Sequence, residues 1–242
     1  MGWAKAWNKP PPIRTCHKPN AGQLYVASTP SQTFLPYFAG TGENFYTNDV
    51  AFRADYVILY LAQMQRLAPS PEIVRYFQTQ SPEKVITIQG VEYAKIYPGP
   101  KLILSDIPPD ATSINIGLGD ILRLAGYKVQ PAPISNLPEA RNAQSPTLLL
   151  YWHALAPLTA NYTISVRARA ADERLLAQQD SWPVGGLLPT SQWRQGDYVA
   201  DVHTLDIPES DLGSIDHFEV VVYSAETDQT LGPPITLPLK HD

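Results

Sequence analysis

The feature that most constrains this chain is its proline content, 24 prolines against 14 glycines in 242 residues. A proline fixes φ, gives up its backbone N–H and ends a helix within a turn. Prolines on that scale predict many short elements separated by rigid corners, not long helices. From about residue 101 the segments between corners are rich in β-branched and aromatic residues. They read "KLILS", "SINIGL", "ILRLAGYKVQ", "TLLLYWHAL", "YTISVRARAA", "LLAQQDSW", "YVADVHTLDI", "HFEVVVYSAE" and "ITLPL". Nine such runs punctuated by Pro, Gly, Asn or Asp predict an all-β sandwich. In "YTISVRARA", Tyr162, Ile164 and Val166 alternate with Thr163, Ser165 and Arg167, one face dry and one wet.

The first hundred residues follow a different grammar, that of a small α/β lobe. "GWAKAWN" opens a short helix, "PPPIRTCHKPNAG" is a loop, "QLYVAS" a buried strand and "PSQTFLPYF" a short helix. "ADYVILYLAQMQR" starts as a strand over 56–60 and runs on into a polar turn or helix. "SPEIVRYFQTQ" is a helix, with Ser70 as N-cap, Pro71 at its first position and Ile73, Val74 and Phe77 on one face. "KVITIQGVEYAKIYPG" alternates around Gln89-Gly90 and predicts a hairpin, with turn chemistry weaker than Asn-Gly. Pro100, Pro108 and Pro109 put a boundary near residue 100. The expected fold is α+β: an α/β lobe over 1–100, then an Ig-like or jelly-roll-like sandwich over 101–242.

A formal charge of -5 with scattered Lys and Arg argues against a nucleic-acid partner. The single cysteine, Cys16, excludes an intramolecular disulfide framework or a thiolate metal cluster. No apolar run reaches the ~18–20 residues of a membrane span, and "MGWAKAWNKPPP" has no apolar signal core, so the chain as given is expected to be soluble.

The five histidines offer no nucleophile elbow and no metal-chelating spacing. His17 and His241 lie near the ends; His153, His203 and His217 lie in or beside strands. Cys16-His17 sits in a proline-rich loop. Asp180, Asp197, Asp201 and Asp206 supply carboxylates for glycoside cleavage, but acids at strand ends are ordinary rims and caps. "ENFYTND" has oxygens for calcium without EF-hand spacing, and "NIGLGDILRLAG" lacks a phosphate-loop continuation. "NYT" at Asn161 is a glycosylation sequon. The expectation is therefore no catalytic residue, no metal and no cofactor. For ligand binding the candidates are Trp182, Trp193, Gln192 and Tyr198, since exposed aromatic faces on a sandwich can stack sugar rings. Tyr151 and Trp152 point to opposite faces of one strand, which places at least one of them in the core.

The stretch "ADYVILYLAQMQRLAPSPEIVRYFQTQSPEKVITIQGVEYAKIYPG", residues 54–99, resembles the soluble tail of certain bacterial membrane glycosyltransferase-like proteins. These are similar to the dolichyl-phosphate-mannose protein mannosyltransferase family, with its GT-C membrane fold. The matching landmarks are the "DYV-LY" strand, Gln63, Gln65 and Arg66, the "PSPE" helix start and "GVEYAKIY". "LGDILRLAGYKV", "LLLYWHALAPLTANYTISVRA", "AQQDSWPVGGLLPTSQWRQGDYVAD" and "HFEVVVYSAETDQTLG" resemble the sandwich appended to such proteins. "NKPPPIRTCHKPN" departs from the pattern. In that family the chemistry lies in a membrane part with no counterpart in these residues, so no catalytic residue carries over. The resemblance implies an extracytoplasmic accessory region, tethered to the membrane in its parent, that supports the membrane-embedded part or recruits a glycan or protein acceptor. The alternatives are a free-standing carbohydrate-binding sandwich and a structural cell-surface module.

"GGLLPTSQWRQGDYVADVHTLDIP" poses one question the residues partly answer. Gly185-Gly186 and Pro189 break the strand after Trp182, and Ser191 and Gln192 can bond the turn backbone. A large apolar side chain at such a corner fits a peg closing the sandwich end. The other reading makes Trp193 and Trp182 a glycan platform.

Overall fold

The computed structural model of the chain describes residues 24–28, 40–44, 48–61, 71–130 and 146–239. The expected helices in "GWAKAWN" and "PSQTFLPYF", the loop "PPPIRTCHKPNAG", the continuation through "AQMQR" and the Ser70 cap lie outside the described residues, as do Cys16, His17 and His241.

The fold is α+β and dominated by a β-sandwich. The first sheet is built from residues 24–98: β1 (Leu24–Ser28), β2 (Gly40–Asn44), β3 (Tyr56–Tyr60), β4 (Lys84–Ile88) and β5 (Val91–Pro98), in the order β2-β1-β3-β5-β4. β2, β1 and β3 run parallel; β5 and β4 add antiparallel. β3 forms because "YVILY" is a run of β-branched, aromatic and aliphatic residues that can be buried on both faces. Its Val57 and Leu59 join Ala27 and Tyr97 in the main core, with Val50, Ala51 and Phe52 of α1 (Asn48–Arg53) and Ile73 and Phe77 of α2 (Pro71–Gln78). Val26, Ile58, Tyr60 and Ala94, in the opposite phase, form a separate cluster. Between β4 and β5, Gln89 and Gly90 both have positive φ (51° and 81°), the pattern of a type I′ turn.

The sandwich follows. One sheet has the order β6-β12-β9-β8-β7 and the other β11-β10-β13-β14. Their strands are β6 (Ile103–Leu104), β7 (Thr112–Leu118), β8 (Leu122–Gln130), β9 (Thr147–Ala154), β10 (Tyr162–Arg169), β11 (Leu175–Ser181), β12 (Tyr198–Thr204), β13 (His217–Ser224) and β14 (Ile235–Pro238). The chain makes the β7-β8-β9 meander, crosses to the β10-β11 hairpin, returns for β12 and crosses again for β13 and β14. The dry faces meet in the middle: Leu148, Leu150 and Trp152 from β9, Ile164, Val166 and Ala168 from β10, and Phe218, Val220 and Val222 from β13. Tyr151 is also buried, on the outer face, where Leu102, Leu104 and Ile107 cover it with Leu149 and Ala200.

The lobes share one core, because residues of α1, α2 and the first sheet belong to the same buried cluster as the sandwich interior. The junction is close-fitting. Gly99 donates its N–H to the Asp55 carbonyl at 2.8 Å, and a Cβ on Gly99 would lie 1.7 Å from the Ala54 carbonyl oxygen. Only glycine allows the chain to leave β5 so near the α1–β3 corner. Among the described residues no helix is long and apolar enough to cross a membrane.

Candidate functional site

The stretch with the densest polar chemistry is the loop between β11 and β12, residues 182–197. It opens with three successive residues of positive φ, Val184, Gly185 and Gly186. The glycines take this conformation freely, whereas a left-handed β-branched valine costs about 1–2 kcal/mol. What holds Val184 there is Asp201, whose Oδ1 accepts the Val184 N–H at 2.7 Å. The other oxygen of Asp201 lies 2.8 Å from His203 Nε2. Asp201 and His203 stand two apart on β12 and so share the inward face, where both are fully buried. His203 Nδ1 finds no hydrogen-bond partner among the described residues.

Trp193 comes next. It is 3 % exposed and donates its indole N–H to the Leu188 carbonyl at 3.0 Å. A short 3-10 turn at Thr190–Gln192 sets it in place. Thr190 Oγ1 donates to the Ala160 carbonyl and accepts from the Tyr162 N–H, while Asn161 Oδ1 accepts the Ser191 N–H. The sequon asparagine is thus part of the scaffold. Trp193 is a peg: an indole enclosed on both faces offers no surface for a sugar to stack upon.

The far end of the loop binds the other lobe. Arg53 of α1 grips Asp197 through two parallel contacts, Nη1–Oδ1 at 2.7 Å and Nη2–Oδ2 at 2.5 Å. Asp197 Oδ2 also accepts the Arg194 backbone N–H. The Arg194 side chain reaches Asp49 at 2.8 Å, and Arg53 Nε lies 3.5 Å from the same carboxylate, an ion-pair distance without hydrogen-bond geometry. Two cations and two anions therefore alternate, with Asp49 and Asp197 both buried. Asn48 adds a bond from Nδ2 to the Leu187 carbonyl at 2.7 Å. Bidentate guanidinium–carboxylate pairing fixes orientation as well as distance. The chemistry of this loop is that of a clamp.

The structure does not bring the four ligand-binding candidates together. Trp193 is interior. Gln192 is half-buried, with Oε1 enclosed and unpartnered among the described residues. Tyr198 lies on the outer face of the five-stranded sheet, stacked on His153 with centroids 4.1 Å apart and planes 10° from parallel. Burial, and then the nearby Arg123 charge, push the His153 pKa below its usual value; Asp106 and Asp197 oppose this. Trp182, two residues beyond Asp180 on the edge of the four-stranded sheet, is 42 % exposed and alone of the four presents an open ring. Alternation along β12 and the crossover between sheets separate them.

Three of the carboxylates weighed for glycoside cleavage are each engaged by partners of their own. Asp197 is held by Arg53, Asp201 by Val184 and His203, and Asp180 by Gln178 at 2.8 Å. Of the oxygens weighed for calcium in "ENFYTND", Asn48 and Asp49 belong to the lobe clamp, and no group of three or more acidic, His or Cys side chains among the described residues could hold a metal. The Asp201–His203 pair was readable in principle, since Asp-x-His on a strand places both on one face. The Arg53–Asp197 pair carried no such signal.

No family model, no curated protein and no solved structure matches the chain.

Proposed function

We propose that this chain is a non-catalytic, extracytoplasmic accessory region of a membrane glycosyltransferase-like protein, resembling the dolichyl-phosphate-mannose protein mannosyltransferases, which supports the membrane-embedded part and recruits an acceptor. The observation that carries the reading is the clamp. The ionisable side chains of the loop inside the landmark "AQQDSWPVGGLLPTSQWRQGDYVAD" join α1 to the sandwich. Two further landmarks, "DYV-LY" and "GVEYAKIY", are β3 and β5, which pair at the centre of the other lobe. The edge strand β4 and the first residue of β5 expose Val85, Ile86, Ile88 and Val91, the last two at 52 % and 68 %. A long apolar sheet edge is a liability in isolation and a contact surface when a neighbour covers it.

The test is a sugar-transfer assay on lipid-linked and nucleotide sugars with the chain alone and with its parent protein. Transfer that requires the membrane part and weakens when the chain is deleted is the expected result. Turnover by the chain alone overturns the proposal, as does a gene whose reading frame shows no series of hydrophobic segments of about 20 residues upstream.

A second reading, a free-standing carbohydrate-binding sandwich, has the open ring of Trp182 in its favour. It is separated from the first by the same gene context.

A further inference from the structure

We infer that β4 pairs antiparallel with β4 of a second copy of this chain, joining the first sheets of the two copies into one about a two-fold axis. The inference goes beyond the reading above and does not depend on it. β4 is the last strand of its sheet, and all five of its residues are exposed. A free edge offers its unused backbone N–H and C=O groups to any strand that fits, and natural proteins blunt such edges. Other edges of this fold are blunted. β6 has two residues, β14 ends at Pro238, and the pairing of β7 with β8 shifts between Ser113 and Ile116, where Asn115 holds φ 63°. The β4–β5 pairing shifts too, but the surplus residue is Tyr93 on β5, so β4 itself runs on unbroken. "KVITI" carries no proline, and its one charge, Lys84, stands at its end.

The register makes the strand self-complementary. Cross-strand partners share a face, so Lys84, Ile86 and Ile88 lie on the side of Ile96, Ala94 and Val91, and Val85 and Thr87 on that of Lys95 and Glu92. Centring the two-fold on Ile86 pairs the whole strand. Ile86 then meets Ile86 of the second copy, Val85 meets Thr87, and Lys84 meets Ile88. On the first side the row through the axis reads Ala94, Ile86, Ile86, Ala94, and the row beside it Ile96, Lys84, Ile88, Val91. The exposed Ile86, Ile88 and Val91 are thereby gathered into one apolar stripe, with the stem of Lys84 along it. On the other side each row reads Lys95, Val85, Thr87, Glu92, one cation and one anion. Glu92 and Lys95 are already paired within a copy, Oε2 to Nζ at 3.2 Å, so neither side opposes like charges. A strand of another protein would need a matching alternation of its own; a second copy has it by symmetry.

The test is sedimentation equilibrium of the intact chain up to about 500 µM, with amide exchange measured at low and high concentration. An interface this small should give a monomer–dimer equilibrium with a dissociation constant on the order of 100 µM. Exchange at residues 84–88 should slow as concentration rises. Ile86→Lys and Ile86→Glu, at an exposed position, each set like charges against one another at the axis and should weaken association about ten-fold or more. Mixing the two variants should restore it, as a heterodimer. Leu175→Ser, on the edge strand β11, should leave it unchanged. The inference is overturned by a chain that stays monomeric over the whole range, or by a dimer that Ile86→Lys and Ile86→Glu leave intact. A mixture no better associated than its components overturns it too, as does concentration-dependent protection anywhere but β4. A monomeric chain whose β4 amides are protected only in the parent protein removes the dimer and leaves the accessory role standing.

Discussion

Arg53 and Asp197, 144 residues apart in the sequence, meet as a two-point guanidinium–carboxylate pair at the seam between the lobes. Asp197 is buried and the Arg53 side chain only 17 % exposed, so removing one partner leaves a charge away from water. Arg53→Met is expected to lower unfolding stability by about 3 kcal/mol in a urea titration, and the double variant with Asp197→Leu to recover most of it. Equal stability of the single and double variants would show that the pair is not what holds the seam.

Gly99 permits the close approach of β5 to the Ala54 carbonyl. Gly99→Ala should therefore fail to fold or lose more than about 3 kcal/mol, at the upper end of single-residue effects. Gln89 in the hairpin is the contrasting case. It holds φ 51° in a turn that favours Asn, so Gln89→Asn should raise stability by about 0.5 kcal/mol. Thermal unfolding of both variants measures the difference.

Asp201 restrains Val184 in its left-handed conformation and partners His203 inside the sandwich. Asp201→Ala removes the acceptor from a buried N–H and is expected to cost about 3 kcal/mol; Asp201→Asn, which keeps an acceptor oxygen, should cost less. Amide exchange at Val184 gives the local readout: it should accelerate strongly in the alanine variant and modestly in the asparagine one.

The His153 pKa lies below its ordinary 6.5, burial being the leading cause and Arg123 the next. The folded state thus binds the proton less readily than the unfolded one. Its contribution is fully present above pH 6.5 and is lost as pH falls from there through the folded-state value. His153→Phe keeps a ring against Tyr198 and should flatten stability across that window in a series of melts at stepped pH.

Glu219 titrates in the opposite environment from an isolated buried acid. Burial alone would raise its pKa, but the hydrogen bonds and charges of Arg167 and Arg169 outweigh burial and hold it below the ordinary 4.5. Its stabilising effect is present above pH 4.5 and lost as pH falls through the lowered value. Glu219→Gln should remove that acid-side loss, read as a smaller difference in melting temperature between pH 5 and about pH 3 than in the parent chain.

Much of the fold was legible because proline corners and period-two alternation act locally. All nine second-half runs quoted from the sequence contain strands, from β6 to β14, and the hairpin about Gln89-Gly90 and the helix at Pro71 stand where the sequence places them. β2 was not legible: "GTGEN" has little strand propensity and is a strand through its parallel pairing with β1. Nor was α1, whose six residues are too short to show a helical period. In the loop, the peg role of Trp193 could be inferred from Gly185-Gly186 and Pro189, because turn chemistry is local. That Tyr198 lies on the outer face of the five-stranded sheet could not, since it depends on which sheet β12 joins. The charge pairs at the seam depend on contacts between residues more than 140 apart.

The single buried cluster running from α2 and β3 into the sandwich has a consequence for heredity as well as for stability. A cut near Pro100 would not release two self-sufficient pieces but two halves, each with a wound of bare hydrocarbon and stranded ions. Recombination can move this sandwich between proteins only by carrying its smaller companion along.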